Sequence, residues 1–347
     1  MRMIVMKDSS KSTKYLEKEK IKDFIAELQK DFTVIGPKKT NDFVLFEELS
    51  KDEVPYLDFL NSRQSPKEFF FPQTENIVTY EGIIDKRVPK DEEYSIRKRL
   101  IFGIRPCDIK SIQILDRLFM NEDYVDNFYK RLRDNTVLFS YGCNTPRTTC
   151  FCSSFDNGPF SSEGADAFIT DIGDSYLIEG ITDQGKQIIE QLPNATKEMI
   201  GKKEEQEKKS NEAVAALKDI DTIPEKLRDM FENPVWEEIS ERCLGCGVCT
   251  YLCPTCHCFD IQDEMVGNEG RRIKNWDSCM FPIFTLHGSG HQPREERFQR
   301  MRQRIMHKFN YYKENFDIIA CSGCGRCVTE CPVNIDVRET LEKIKSL

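Results

Sequence analysis

The longest apolar runs of this 347-residue chain are only a few residues long, which excludes a membrane-spanning helix. The opening Met1-Arg2-Met3-Ile4-Val5-Met6 passes straight into Lys7 and Asp8. It has neither a long apolar stretch nor small cleavage-site residues, so no signal peptide is read there. An excess of positive charge is missing too. Fifty basic against fifty-nine acidic residues leave a net charge of −9, which argues against broad binding to nucleic-acid phosphates. No G-x-G-x-x-G follows a predicted strand, no Walker A run occurs, and no G-x-S-x-G elbow or other nucleophile arrangement is visible. The chain therefore shows no dinucleotide site of its own. The expectation is a soluble cytoplasmic protein with no nucleic-acid or membrane partner.

What is abundant is cysteine. Fifteen are present, an odd number in a chain with no export signal, where thiols stay reduced and a disulfide framework is a poor fit. Residues 1–242 hold four and residues 243–347 hold eleven. Cys243, Cys246, Cys249 and Cys253, followed by Pro254, have the spacing C-x2-C-x2-C-x3-C-P. Cys321, Cys324, Cys327, Cys331 and Pro332 repeat it. This is the bacterial run for 4Fe–4S clusters, in which the fourth cysteine of each run ligates the other cluster. The spacing assigns Cys243, Cys246, Cys249 and Cys331 to one cluster and Cys321, Cys324, Cys327 and Cys253 to the other. Gly245, Gly247, Gly323 and Gly325 let the backbone come close and aim amide hydrogens at sulfur. Paired C-x2-C knuckles also bind zinc, which is the competing reading.

With 39% hydrophobic residues the chain has material for a sizeable core, and its length suggests two or three domains. Helical spacing predicts an amphipathic helix from Thr13 to Phe32. Short apolar runs predict strands at Thr33–Ile35, Phe43–Phe46, Ile77–Tyr80, Arg99–Ile104 and Thr136–Tyr141. A helix from Ile109 to Phe119 is expected with Asp108 as its N-cap. Asp166–Thr170 and Ser175–Glu179 read as a hairpin. Lys202–Lys209, Ala213–Leu217 and Ile223–Phe231 read as a charged helical connector. The fold expected is α+β: a mixed α/β domain over residues 1–200, a connector over 201–233, and a mainly helical two-cluster domain over 234–347. Arg294 to Asn315 has a strong helical pattern, with Phe298, Met301, Ile305, Phe309 and Tyr312 on one face. Its basic residues Arg294, Arg297, Arg300, Arg302, Arg304 and Lys308 are expected to be solvated or docked on the acidic N-terminal domain, with a face for an acidic redox partner as the alternative.

Seven cysteines stand apart from the two runs, four of them in the N-terminal half. Cys107, Cys143, Cys150 and Cys152 each follow a predicted strand. They form a candidate third 4Fe–4S site, with zinc or plain burial as the alternatives. Cys107 falls at a helix start, where the macrodipole favours a thiolate. Cys256, Cys258 and Cys279 are one thiol short of a cubane. His257 or Asp277 would complete a site, but packing and hydrogen bonding toward sulfur is the reading preferred. His287 and His291 are read as making ordinary polar contacts.

The pieces Phe102-Gly-Ile-Arg-Pro-Cys107-Asp108, Cys150-Phe-Cys152, Cys253-Pro-Thr-Cys-His-Cys258-Phe-Asp260, Trp276-Asp-Ser-Cys279 and His307-Lys-Phe309 resemble one family. It contains the β subunit of soluble sulfhydrogenases and the corresponding iron–sulfur subunit of anaerobic sulfite reductase, and the resemblance spans roughly residue 66 to the C-terminus. It implies an electron-transfer subunit of an anaerobic, multisubunit oxidoreductase. Such a subunit relays electrons between a flavin- and NAD(P)H-binding subunit on one side and a catalytic redox subunit on the other. Single-electron clusters need such a flavin to meet a hydride donor. Two rival readings remain: a catalytic reductase with an open iron in the N-terminal site, and a zinc-structured binding module.

Overall fold

The computed structural model describes residues 12–81, 88–90 and 97–347, so the Met1–Asp8 opening lies outside the described residues. The strands described are, in chain order, β1 (Ser12–Glu17), β2 (Thr33–Thr40), β3 (Phe43–Glu48), β4 (Thr74–Glu81), β5 (Val88–Lys90), β6 (Arg99–Ile104), β7 (Thr136–Tyr141), β8 (Ala167–Asp171), β9 (Ser175–Gly180), β10 (Phe259–Val266) and β11 (Glu269–Trp276). Strands β6 and β7 are apolar almost throughout, as strands covered on both faces must be. They form the middle of a seven-stranded sheet ordered β1-β9-β8-β7-β6-β2-β3. The inner pairs β2–β6, β6–β7 and β7–β8 are parallel, and hairpins or antiparallel strands close both edges.

Alternate residues of β6 serve opposite layers. Leu100 and Phe102 pack with Ile25 and Leu28 of the helix Ile21–Asp31. Ile101 and Ile104 pack with Ile109, Ile112 and Leu115 of the helix Pro106–Phe119. The phase slips at Gly103, where the ladder to β7 shifts register and φ is +84°. The resulting bulge re-aims the chain end that carries Arg105 and Cys107.

Two expectations are corrected here. The Thr13–Phe32 segment is not one helix: Ser12–Glu17 is β1, and the helix starts at Ile21. The open edge of β9 takes β1 in full register, from Ser12 opposite Gly180 to Glu17 opposite Ser175, and that pairing outweighs helical spacing. Asp108 is not an N-cap either. Pro106, pre-set for a first helical position, opens the helix after Arg105 and leaves Asp108 inside the first turn. The expected hairpin forms as β8–β9, with Asp171 opposite Tyr176. The connector gives a helix over Lys197–Ala213, but Ala213–Leu217 does not continue it. There the Leu217 N–H donates to Ser154 Oγ instead (2.8 Å).

A second, antiparallel sheet runs β10-β11-β4-β5 and draws strands from both halves of the chain. Trp276 at its end stacks on Phe71 (5.9 Å between ring centres) and donates to the Phe71 carbonyl at 3.0 Å. Beyond it, helices dominate. A continuous helical run comprises Arg297–Met306, a π-helical turn at His307–Tyr311, and Tyr312–Phe316. Met301, Ile305 and Phe309 of that run join Trp236, Leu341 and Ile344 in one core, which also takes Phe151 and Phe155 from the N-terminal half. Among the described residues no helix is long and apolar enough to cross a membrane.

Candidate metal centre

The two cysteine runs fold alike. Gly245 and Gly323 (φ +67° and +64°), then Gly247 and Gly325 (φ +76° and +74°), turn each loop before a short helix, Val248–Tyr251 or Arg326–Thr329. An L side chain is strained in that region. The turn brings the Gly245 N–H within 3.4 Å of Cys243 Sγ. In the second half of the fold, the Ile335 N–H donates to Cys331 Sγ at 3.2 Å.

The runs interleave in space. Cys243, Cys246, Cys249 and Cys331 line one cavity of about 550 Å³. Cys321, Cys324, Cys327 and Cys253 line a second, of about 340 Å³. Cys327 also reaches the wall of the first. Among the described residues no three His, Cys, Asp or Glu side chains converge as tightly as a single ion requires. The thiols ring volumes instead of meeting at a point, which suits a polynuclear cluster better than tetrahedral zinc.

Electrostatics points the same way. Lys308 Nζ donates to Cys253 Sγ (3.3 Å), to Thr255 Oγ1 (2.6 Å) and to the Ala320 carbonyl. Arg304 reaches the Cys249 carbonyl (3.3 Å), and its Nε, also buried, has no partner. Lys67 donates to the carbonyls of Cys253 (3.0 Å) and Cys256 (2.8 Å) and lies over the Trp276 ring. All three are at least 95% buried, and none pairs with a carboxylate among the described residues. An unpaired buried cation costs several kcal/mol. The counter-charge at hand is sulfur. Burial works against the Lys308 ammonium, yet the neighbouring sulfurs, Cys253 foremost, raise its pKa above the usual value. Burial likewise pushes the free thiols of Cys321 and Cys324 up to about 12 and about 11, so metal entry there must expel protons. Cys253 goes the other way, held low first by the hydrogen bond from Cys256, with Lys308 and Arg304 adding to it against burial.

The expectation that the basic helix is solvated or docked on the acidic N-terminal domain holds for the exposed Arg297 and is corrected for four of its residues. Arg300, Arg302, Arg304 and Lys308 are buried. Arg300 donates to the Arg294 and Glu295 carbonyls, and Arg302 lies 3.6 Å from the Phe231 ring centre.

The N-terminal cysteines lie against the second run. Cys107 and Cys152 share a small buried cluster with Cys324. The Phe151 N–H donates to the Gly323 carbonyl at 2.9 Å, and Cys150 Sγ lies 3.8 Å from the Cys324 carbonyl. Burial raises the thiol pKa of Cys107, Cys143, Cys150 and Cys152, and in each case another of these thiols or Cys324 adds to the rise. For Cys107 this overrides the helix-start effect expected from sequence: burial, Asp108 and Cys324 push it well above the usual value. The seam is locked by Arg326, whose guanidinium is bidentate to Asp108 (2.7 and 2.8 Å) and also bonds Ser62 and Asn61. The Ser111 and Ser322 hydroxyls meet across it at 2.8 Å.

The remaining three cysteines fall into pairs. Cys256 contacts Cys253, and Cys258 contacts Cys279. His257 does not join them. Its ring faces Phe119, His307 and Tyr312, and burial lowers its pKa to about 3. Asp277 accepts from the Ser278 N–H. Of the fifteen cysteines only Cys246 is exposed, beside an exposed Leu244.

Sequence reasoning did not single out Lys67, Arg304 or Lys308 as groups facing the thiols. A signal existed for two of them: Arg304 and Lys308 follow Arg300 at intervals of four, in phase with the buried Met301, Ile305 and Phe309. The family model of the 4Fe-4S dicluster domain matches residues 242–335. Over 338 residues the chain is 30% identical to the sulfhydrogenase 2 subunit beta of Pyrococcus furiosus, covering 95% of this chain and 97% of that protein. No solved structure matches it.

Proposed function

The chain belongs to the iron–sulfur subunit family that contains the sulfhydrogenase β subunit. From that premise we propose that it relays single electrons in the cytoplasm, between a flavin- and NAD(P)H-binding subunit on one side and a catalytic redox subunit on the other. Its family makes it an iron–sulfur electron-transfer subunit. The assignment of ligands is ours: Cys243, Cys246, Cys249 and Cys331 hold one 4Fe–4S cluster, and Cys321, Cys324, Cys327 and Cys253 hold the other. Cys107, Cys143, Cys150 and Cys152 are the ligands of a third. Such clusters supply one-electron redox chemistry when bound.

The observation that carries this reading is the pair of thiol-ringed cavities with carboxylate-free cations buried in their walls. On this reading the three sites follow one another along the molecule. Cys324 and the Cys150–Cys152 segment join the N-terminal site to the second cavity. Cys327 and Arg304 form the wall shared by the second cavity and the first. Cys246 brings the first to the surface. Amide and ammonium donors at Cys243, Cys331 and Cys253 favour the anionic sulfur and so the reduced state.

Iron and acid-labile sulfide on protein purified without air test this: about twelve of each supports three cubanes, and about eight removes the N-terminal one. Zinc without sulfide removes the whole reading.

One feature favours the second reading, a catalytic N-terminal site. A cleft of about 1160 Å³, lined by Lys18, Tyr56, Phe59, Arg105, Tyr141 and Tyr176, opens at the carboxyl ends of β7 and β8. Arg105, in its lining, also interacts with the Cys143 thiol, and open α/β sheets bind ligands at such strand ends. Turnover of substrate by the isolated subunit with a chemical reductant is the result this reading requires.

A further inference from the structure

Arg304 lies in a place no other cation among the described residues shares. It lines both thiol-ringed cavities, in the wall that Cys327 also serves. Lys308, one turn on, lines only the second. Arg304 is 4% exposed. Among the described residues its side chain makes one bond, from Nη2 to the Cys249 carbonyl (3.3 Å), and its buried Nε is left without an acceptor. No carboxylate pairs with it among the described residues. A planar, permanently charged group with donors to spare, set between two cavities, suits two anions better than one.

We infer that Arg304 is the shared counter-ion of the two C-terminal clusters, raising both reduction potentials together. The inference rests on the two-cluster reading above. A cluster that takes up one electron gains one negative charge and makes or breaks no covalent bond, so a fixed cation beside it favours the reduced form. Placed in the common wall, a single charge acts on both. Burial strengthens the effect by removing the water that would screen it.

The test is a redox titration of the full, cluster-loaded chain with dithionite and mediators, followed by electron paramagnetic resonance, on wild type, Arg304→Gln, Arg304→Lys and Lys308→Met. The expected pattern is asymmetric. Arg304→Gln makes both clusters at least tenfold harder to reduce, a fall of about 59 mV in each one-electron potential. Lys308→Met lowers only one. Arg304→Lys keeps both within that margin. The inference is overturned if Arg304→Gln retains its iron and moves one potential or neither, or if Arg304→Lys moves both as far as Arg304→Gln. Should Arg304→Gln lose its iron, Arg304→Lys decides alone: two loaded clusters at near-native potentials support the shared charge, and a tenfold fall in either refutes it. A wild type without iron and sulfide would instead remove the two-cluster reading, and the inference with it.

Discussion

Removing the charge of Asp108 should separate the two halves of the site more effectively than any change in the sheets. Asp108 is fully buried, and Arg326 is 3% exposed. Two of the five guanidinium bonds go to the carboxylate, and the rest go to the Ser62 carbonyl, the Ser62 hydroxyl and Asn61 Oδ1. Ser65 Oγ donates at 2.9 Å to Asp108 Oδ1, the oxygen that also accepts from Arg326 Nη1. Asp108→Asn keeps the shape but leaves a buried cation with neutral partners only, and turns an amide N–H₂ toward one guanidinium or hydroxyl donor. Breaking such a pair from one side costs about 3–5 kcal/mol. The double variant Asp108→Leu, Arg326→Met removes both charges and should recover most of that loss, because an apolar pair of similar volume often replaces a buried ion pair at little cost. Anaerobic guanidinium unfolding of wild type, Asp108→Leu, Arg326→Met and the double variant completes the cycle, with Asp108→Asn measured beside them. Iron content should fall with the single change, since Cys324 and Cys327 flank Arg326 in the chain. A loss below about 1 kcal/mol for Asp108→Asn, the size typical of an exposed pair, would refute the reasoning. So would a double variant weaker than the single one.

Other tests reach different parts of the molecule. Cys107→Ala should lose about four of about twelve irons while the two C-terminal clusters keep their spectra, as iron analysis would show. The matched glycines should differ. A Cβ at Gly323 would sit 2.5 Å from the Phe151 backbone, whereas at Gly245 the nearest atom is 3.7 Å away. Gly245→Ala should therefore cost about 1–2 kcal/mol for its left-handed backbone alone, and Gly323→Ala clearly more in the same unfolding assay. Burial lowers the pKa of His257 to about 3 and of His307 to about 4. Their folded values lie below the unfolded value near 6.5, so the unfolded chain binds more protons between these limits. Stability is full above about pH 6.5 and falls as the pH drops toward about 4, by at most about 1.4 kcal/mol per pH unit for each histidine. His307→Asn should flatten that slope in thermal melts at about pH 7 and about pH 5.

The sequence by itself determined the chemistry of the C-terminal half. Ligand spacing within a run is local, and a loop with glycines at fixed offsets folds the same way wherever it sits, so Cys243–Cys253 and Cys321–Cys331 could be read as matched loops. Buried parallel strands such as Arg99–Ile104 and Thr136–Tyr141 were legible for a similar reason: short runs of apolar, β-favouring residues between turn residues. Ser12–Glu17 was not legible, because its strand state depends on a β9 edge far along the chain, and its own spacing suits a helix equally well. The cations told the same story. Arg304 and Lys308 read as a solvated face until the packing of Met301, Ile305 and Phe309 turned that side of the helix inward. Only the tertiary structure could set Arg326 against Asp108, or lay Cys150–Cys152 on the Gly323 backbone. Those contacts join segments far apart in the chain, and their energies come from burial and from paired charge, which no local pattern encodes.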